Sequence, residues 1–453
     1  MKNIAVFFSA LGIAMLSQIP SYAGTIKVST LADLQQAISK ARPGDEIILA
    51  DGNYTTDNDI TINCSGSEKN HIIIRANTTG GAVISGNGGF QLIAPAQYVD
   101  ISNFKFAHKA SHTKTAPGTS WCQFTHNIFE ETGDGEYLLL AGNNHRISYN
   151  TFQHKNSMGR FIAVRGQGSQ IAENLQIDHN YFYDFKPQTG NGAEALQFGL
   201  SGFSMSGSNS VVEYNLFEEC AGENELISVK SSDVILRYNT VRNCKAQFTL
   251  RHGNYCQVYS NYFTNTPGLR IFGDHHLIHD NYFTDCDMGI NIGNGDGEVA
   301  TGSLLTCHDR PDSILITANI MVCCKHPIIM TERKDGLGAT AVTIIKNQLY
   351  DCPEAASIKG PFPGAKWQNN QLTQVSSRGD MPEDDNSNGT RVSAVFIHVA
   401  ESKKTTGTNK SNPDKATKDT NGNSPISVVE IGNGKTRFSA TALTSTQVGA
   451  NAK

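Results

Sequence analysis

Residues 256–263 read "CQVYSNYF" and residues 276–283 read "HLIHDNYF". Both follow one pattern: apolar, any, apolar, two variable residues, Asn, any, apolar. It recurs as "VDISNFKF" at 99–106, "CQFTHNIF" at 122–129, "HRISYNTF" at 145–152, "LQIDHNYF" at 175–182 and "VILRYNTV" at 234–241. The asparagines are Asn103, Asn127, Asn150, Asn180, Asn215, Asn239, Asn261, Asn281, Asn319 and Asn347. Several intervals are 20 to 24 residues, and the longer ones are 28, 30, 35 and 38. A short period interrupted by insertions is the signature of a solenoid. Each unit is short, alternating, and rich in β-branched and aromatic residues, with little helical pattern between units. One strand-rich coil per repeat predicts an all-β fold, a right-handed parallel β-helix, with coils stacked at about 4.8 Å.

Stacking places equivalent residues in ladders. Five residues after the asparagine stand Cys220, Cys244, Cys286, Cys324 and Cys352, with Thr266 in the remaining coil. This reads as an inward stack of small side chains. In-register stacking holds Cβ atoms about one coil apart, outside the roughly 3.5–4.5 Å of a disulfide. The cysteines are therefore expected mostly as reduced, packed thiols.

A solenoid needs closed ends. The stretch "STLADLQQAISKARPGDEIILADGNYT" at 29–55 predicts an amphipathic helix with Thr30 as N-cap, plugging the first coil. The Asn repeat stops after about Ser376. Residues 402–424 are rich in Lys, Thr, Asn, Asp and Gly and are expected to be flexible. Two strand-like pieces, "VSAVFIHVA" and "ISVVEIG", flank them. At the other end, Lys2 precedes an apolar run from Ile4 to Leu16, with Ser21 and Ala23 at the small positions of a cleavage site. That predicts a secretory signal peptide and an exported, periplasmic or secreted protein. The expected division is 1–23 signal peptide, 24–376 β-helix and 377–453 C-terminal extension. No later run approaches the roughly 18 apolar residues of a membrane span. The net charge of −5 gives no hint of nucleic-acid binding. An acidic polymer would have to be met by a local basic cluster or a metal.

Fixed charge of both signs is concentrated in residues 222–232, "GENELISVKSS". Read alone, it supports two interpretations. One is a solvated strand edge. The other is a site where Glu223 and Glu225 hold a cation and Lys230 moves a proton. Aligning "SVKSSDVILRYN" on "LRHGNYCQVYSN", with one extra residue in the turn, stacks Val229 on Leu250 and Lys230 on Arg251. Two outward cations about one coil apart repel unless an anion lies between them. His252 adjoins Arg251, and the next coil, "GLRIFGDHH", adds Arg270 and His275 or His276. The long insertions 186–207 and 293–313 fall close to these coils, and insertions collect on the working face of a solenoid. Strict alternation, however, would point Glu223 and Glu225 inward, opposite Lys230. An outward pair requires the chain to bend near Glu225–Leu226, which Gly222 makes feasible.

At these residues the chain resembles polysaccharide lyase family 6, the β-helical lyases that include alginate lyases and chondroitinase B. The motifs are "NGAEALQFG" (191–199), "ENELISVKSS" (223–232) and "LRHGN" (250–254), with "PGDEIILADGNY" and "LTSTQVG" resembling the family's ends. The resemblance implies Lys230 as general base and Arg251 as general acid. It implies Ca²⁺ held by Glu223, Glu225 and Asn191. It makes His252, Arg270, Gln197 and His275 candidate substrate-binding residues, with Gln197 standing where the family often has Arg. The implied reaction is β-elimination on an acidic polysaccharide, with alginate favoured over dermatan or chondroitin sulfate by family prior. A lysine base must be neutral, against a reference pKa of about 10.4, and nearby positive charge favours that form. Arginine hardly deprotonates, so its part is chiefly to stabilise the leaving oxygen. Pectate lyase is a weaker alternative, lacking an Asp-rich calcium pattern here. A non-catalytic glycan-binding β-helix would not need Lys230 and Arg251 paired.

Overall fold

The computed structural model describes residues 23–299, 307–383 and 442–452, together with the strands Ile426–Ile431 and Lys435–Ala440. The expected signal peptide (but for Ala23), the polar run 402–424 and "VSAVFIHVA" lie outside the described residues. No helix among the described residues is long and apolar enough to cross a membrane.

Three parallel sheets of 14, 12 and 13 strands run the length of the molecule, and each strand pairs with its counterpart one coil on. This is a parallel β-helix. Its interior is filled by the alternate apolar residue of every strand, as in the stack Phe129–Phe152–Phe182–Phe217, with centroids 4.5, 5.1 and 4.5 Å apart. Cys220, Cys244, Cys286, Cys324 and Cys352 are buried and unbridged. Helix α1 (Leu31–Lys40) starts at Thr30, whose side chain accepts from the Asp33 N–H, and buries Leu34, Ala37 and Ile38.

The repeat asparagine has a defined task. Residues just before it, such as His126, Tyr149, His179, Tyr214 and Tyr238, take φ of 53° to 56°, the left-handed region that turns one strand into the next. Each asparagine then binds the backbone around that corner. Asn239 Nδ2 donates to Val212 O (2.9 Å) and to Asn261 Oδ1 (3.0 Å), and its Oδ1 accepts from the Asn215 N–H (3.1 Å). The ladder runs from Asn127 to Asn370. Asn103 is not a rung. Thr125 pairs with Ser102 and Ile128 with Lys105, so Phe104 sits opposite Asn127 and Asn103 falls one residue early. The final rung, Asn370, lies in "WQNNQL", where the pattern is least apolar.

The site-bearing sheet contains six consecutive strands: β1 (Ile162–Val164), β2 (Leu196–Phe198), β3 (Glu225–Lys230), β4 (Gln247–His252), β5 (Leu269–Ile271) and β6 (Met288–Ile292). Between β3 and β4 the register shifts twice. Glu225 pairs with Gln247 but Ile227 with Phe248, so Leu226 is an extra residue, and both Leu226 and Ile227 are buried. This bulge answers the alternation problem. The strand begins at Glu225, not after it, and the bulge reverses parity so that Glu225 faces out beside Ser228 and Lys230. The second shift corrects the alignment made from sequence. Val229 does pair with Leu250, but Lys230 pairs with His252, and Arg251 is the extra residue. The additional residue lies within the strand, not in the turn.

Candidate active site

The outward positions of β2 to β5 and the turns before β2 and β3 enclose a cleft of about 310 Å³. Of the residues singled out in the sequence, Asn191, Gln197, Glu223, Glu225, Lys230, Arg251 and Arg270 line it. Gln197, Ser228, Thr249 and Arg270 form one outward ladder across successive coils. His252 is buried beside the cleft, in register with Lys230. His275 is not brought to it. It sits at φ 57° on a different corner, its ring stacked on Tyr255 at 4.9 Å. Its neighbour His276 is buried and bonded to the backbone.

Three carboxylates, Glu194, Glu223 and Glu225, each place an oxygen within 4.8 Å of the others. Burial first, then the Glu194 and Glu225 charges, push the Glu223 carboxyl up to about 7. Glu194 goes the other way: its burial is outweighed by Arg160 and Lys230, which hold it below the usual range. Arg160 Nε donates to Glu194 Oε2 (2.9 Å), and Lys230 Nζ lies 3.7 Å from Glu194 Oε1. Gln197 Nε2 donates to the same Oε1, so Gln197 orients a carboxylate within the site. Glu225 Oε1 takes both Arg251 Nε (3.3 Å) and Arg270 Nη2, leaving Oε2 outside these two ion pairs. A set of hard oxygen donors crowded against one another suits a divalent cation.

The opposite wall is cationic. The Arg251 and Arg270 guanidiniums lie over the Phe272 ring, at 5.9 and 5.6 Å from its centroid. Arg251 Nη1 and Arg270 Nε are buried and have no hydrogen-bond partner among the described residues. Unpaired buried donors of this kind are costly unless a ligand takes them. Burial above all, then Arg251 and Lys230, drive His252 down to about 3, so its imidazole is neutral.

Reading the sequence missed three residues at the cleft. Glu194 stands in "NGAEALQF" three residues after Asn191, inside a motif already singled out. His308 comes from the insertion at 293–313, and its ring packs tilted against Phe272, with centroids 4.8 Å apart and planes at 50°. Arg160 precedes β1 and bridges Glu136 and Glu194; only its place just before the strand two coils ahead of β3 could have pointed to it.

The fold is thus a parallel β-helix whose groove sets crowded carboxylates against guanidinium donors. The sequence profile of the chondroitinase B family matches residues 28–335. Among solved structures, a mannuronic acid specific polysaccharide family 6 lyase from human gut microbiota is 26% identical, with TM-score 0.68, covering 77% of this chain and 86% of that one. The PL6 family alginate lyase AlyGC is 25% identical, with TM-score 0.70, covering 79% of this chain and 52% of that one, so the chain spans about half of AlyGC. The PL6 lyase Pedsa3628 from Pseudopedobacter saltans shares the fold at 22% identity, with TM-score 0.64, covering 80% of this chain and 94% of that one. Comparison with curated protein sequences gives no match. The chain belongs to polysaccharide lyase family 6, the chondroitinase B family.

Proposed function

We propose that the protein cleaves alginate by β-elimination, with Lys230 as base, Arg251 at the leaving oxygen, and a calcium ion held by Glu223, Glu225 and Asn191 with Glu194. The observation that carries this reading is the convergence of Lys230, Arg251 and the three carboxylates on one cleft. Such an ion would supply neutralisation of the uronate carboxylate, the charge that otherwise opposes loss of the adjacent C5 proton. Lys230, as the free amine, takes that proton. The electron pair forms the C4–C5 double bond as the 4-O-glycosidic bond breaks. Arg251 donates a hydrogen bond to the departing oxygen, and solvent completes its protonation. Arg270 binds the acidic chain through its free Nε–H. His252 is neutral and lies in register with Lys230 on the next coil. We also propose that the chain is exported, as its N-terminal 23 residues suggest.

The test is a panel of block-defined alginates and dermatan sulfate, followed by ultraviolet absorbance of the unsaturated product. Cleavage of alginate that fails in chelator and in Glu223→Gln supports the reading. Cleavage of dermatan sulfate alone moves the substrate. Binding without absorbance leaves a glycan-binding β-helix.

A further inference from the structure

A second hollow, of about 460 Å³, lies beyond the C-terminal ends of this sheet's strands, on the coils before the cleft. Trp121 lines it and is 48% exposed. One face of its indole is covered by Tyr98, with centroids 6.0 Å apart and planes 6° from parallel. Tyr98, Trp121 and Asn144 hold the same corner position on successive coils, at φ of 51°, 56° and 58°. The third coil thus supplies a small amide where a third ring would continue the stack, and the other face of Trp121 is left to the hollow. Asn144 and Gln167 border it with side-chain amides that pair with nothing else among the described residues. Among the described residues no charged side chain lines it.

Gly199, next to the cleft-lining Leu200, adjoins both Ile171 of the hollow and Lys230 of the cleft. Ile171 lines the hollow, and a Cβ on Gly199 would lie 3.0 Å from its Cδ1 and 3.2 Å from the Lys230 carbonyl oxygen. From Ala141, at the end of strand Leu138–Leu140, to Lys230 at the end of β3 is three coil steps, roughly 14 Å. An open aromatic face flanked by unpaired amides suits a sugar ring, whose C–H face packs on the indole while its hydroxyls meet the amides. The uncharged lining leaves the sugar carboxylates in water.

We propose that this hollow is a distal saccharide subsite, taking a hexopyranose unit of the same polymer on Trp121, Asn144 and Gln167 while Lys230 acts about three coils away. The proposal rests on the lyase reading for its polymer, but its binding test does not need turnover. In full-length protein, Trp121→Ala should raise KM for polymeric alginate roughly three- to tenfold, the range of one aromatic contact. That ratio should shrink towards one as the substrate is shortened to trimers, with Trp121→Phe in between. Asn144→Tyr, which would continue the stack over the free indole face, should raise the polymer KM likewise. In a Lys230→Ala background, mannuronate and guluronate oligomers should change the intrinsic fluorescence. The chain has 2 tryptophans, so the same titration in Lys230→Ala/Trp121→Phe assigns the signal. A polymer KM unmoved by Trp121→Ala and Asn144→Tyr, in protein that cleaves alginate, would overturn the subsite and leave the lyase standing. If no polymer is cleaved, a fluorescence change that vanishes with Trp121 sustains the subsite, and an unchanged signal overturns it.

Discussion

Glu223 shows how one residue links charge, stability and metal. Its folded pKa of about 7 lies above the ordinary 4.5, so the folded chain holds this proton more tightly than the unfolded one. The stability it contributes is fully present below 4.5 and is lost as pH rises through about 7. A cation can replace that proton. Calcium should therefore raise the melting temperature little near pH 4.5 and most above pH 7, and Glu223→Gln should flatten that dependence. An equal calcium shift at both ends would speak against a cation among these carboxylates. Glu223, Glu225, Lys230 and Arg251 were legible because charge on an apolar strand has few bland explanations. Glu194 was not, since nothing but the folded turn sets it against Glu223. Nor was the outward turn of Glu225, which depends on a bulge fixed by pairing with the next coil.

Among the elements, the corner ladders carry the most testable energetics. Asn239→Ala would remove three donor contacts and strand buried backbone groups on two coils. It should cost about 3 kcal/mol, read from the shift of the urea midpoint. Histidines brace other corners. His276 Nδ1 accepts from the Cys256 N–H (3.0 Å) while Nε2 donates to Phe272 O (2.9 Å), and His145 Nδ1 accepts from the Cys122 N–H (3.1 Å). Protonation would abolish both acceptors, and burial accordingly drives each imidazole from 6.5 down to about 4. Their contribution is present above 6.5 and lost as pH falls through about 4. The urea midpoint should drop across that window, and His276→Gln should reduce the slope; a midpoint constant with pH would contradict this. Strand type and period were plain in the sequence because alternation and Asn spacing repeat. Exact register was not, as Asn103 shows: a one-residue offset leaves the local pattern intact but moves the side chain off the ladder.

At the scale of the whole molecule, residues 442–452 return to lie across the coils. Leu443 N–H donates to Thr240 Oγ1 (2.9 Å), Gly449 N–H to His179 O (2.9 Å) and Ala450 N–H to Thr151 Oγ1 (3.0 Å), with Val448 and Ala450 buried. Removing the chain from Ala442 onward should lower stability by about 1–3 kcal/mol, seen as an earlier thermal transition. The central claim is that this β-helix uses Lys230 to take the C5 proton of a uronate. The most direct measurement is the ultraviolet time course of alginate with wild type and with Lys230→Ala of unchanged circular dichroism. Wild type should generate the unsaturated chromophore steadily, and the variant should be slower by roughly 10²- to 10⁴-fold. Equal rates in the two proteins would contradict it.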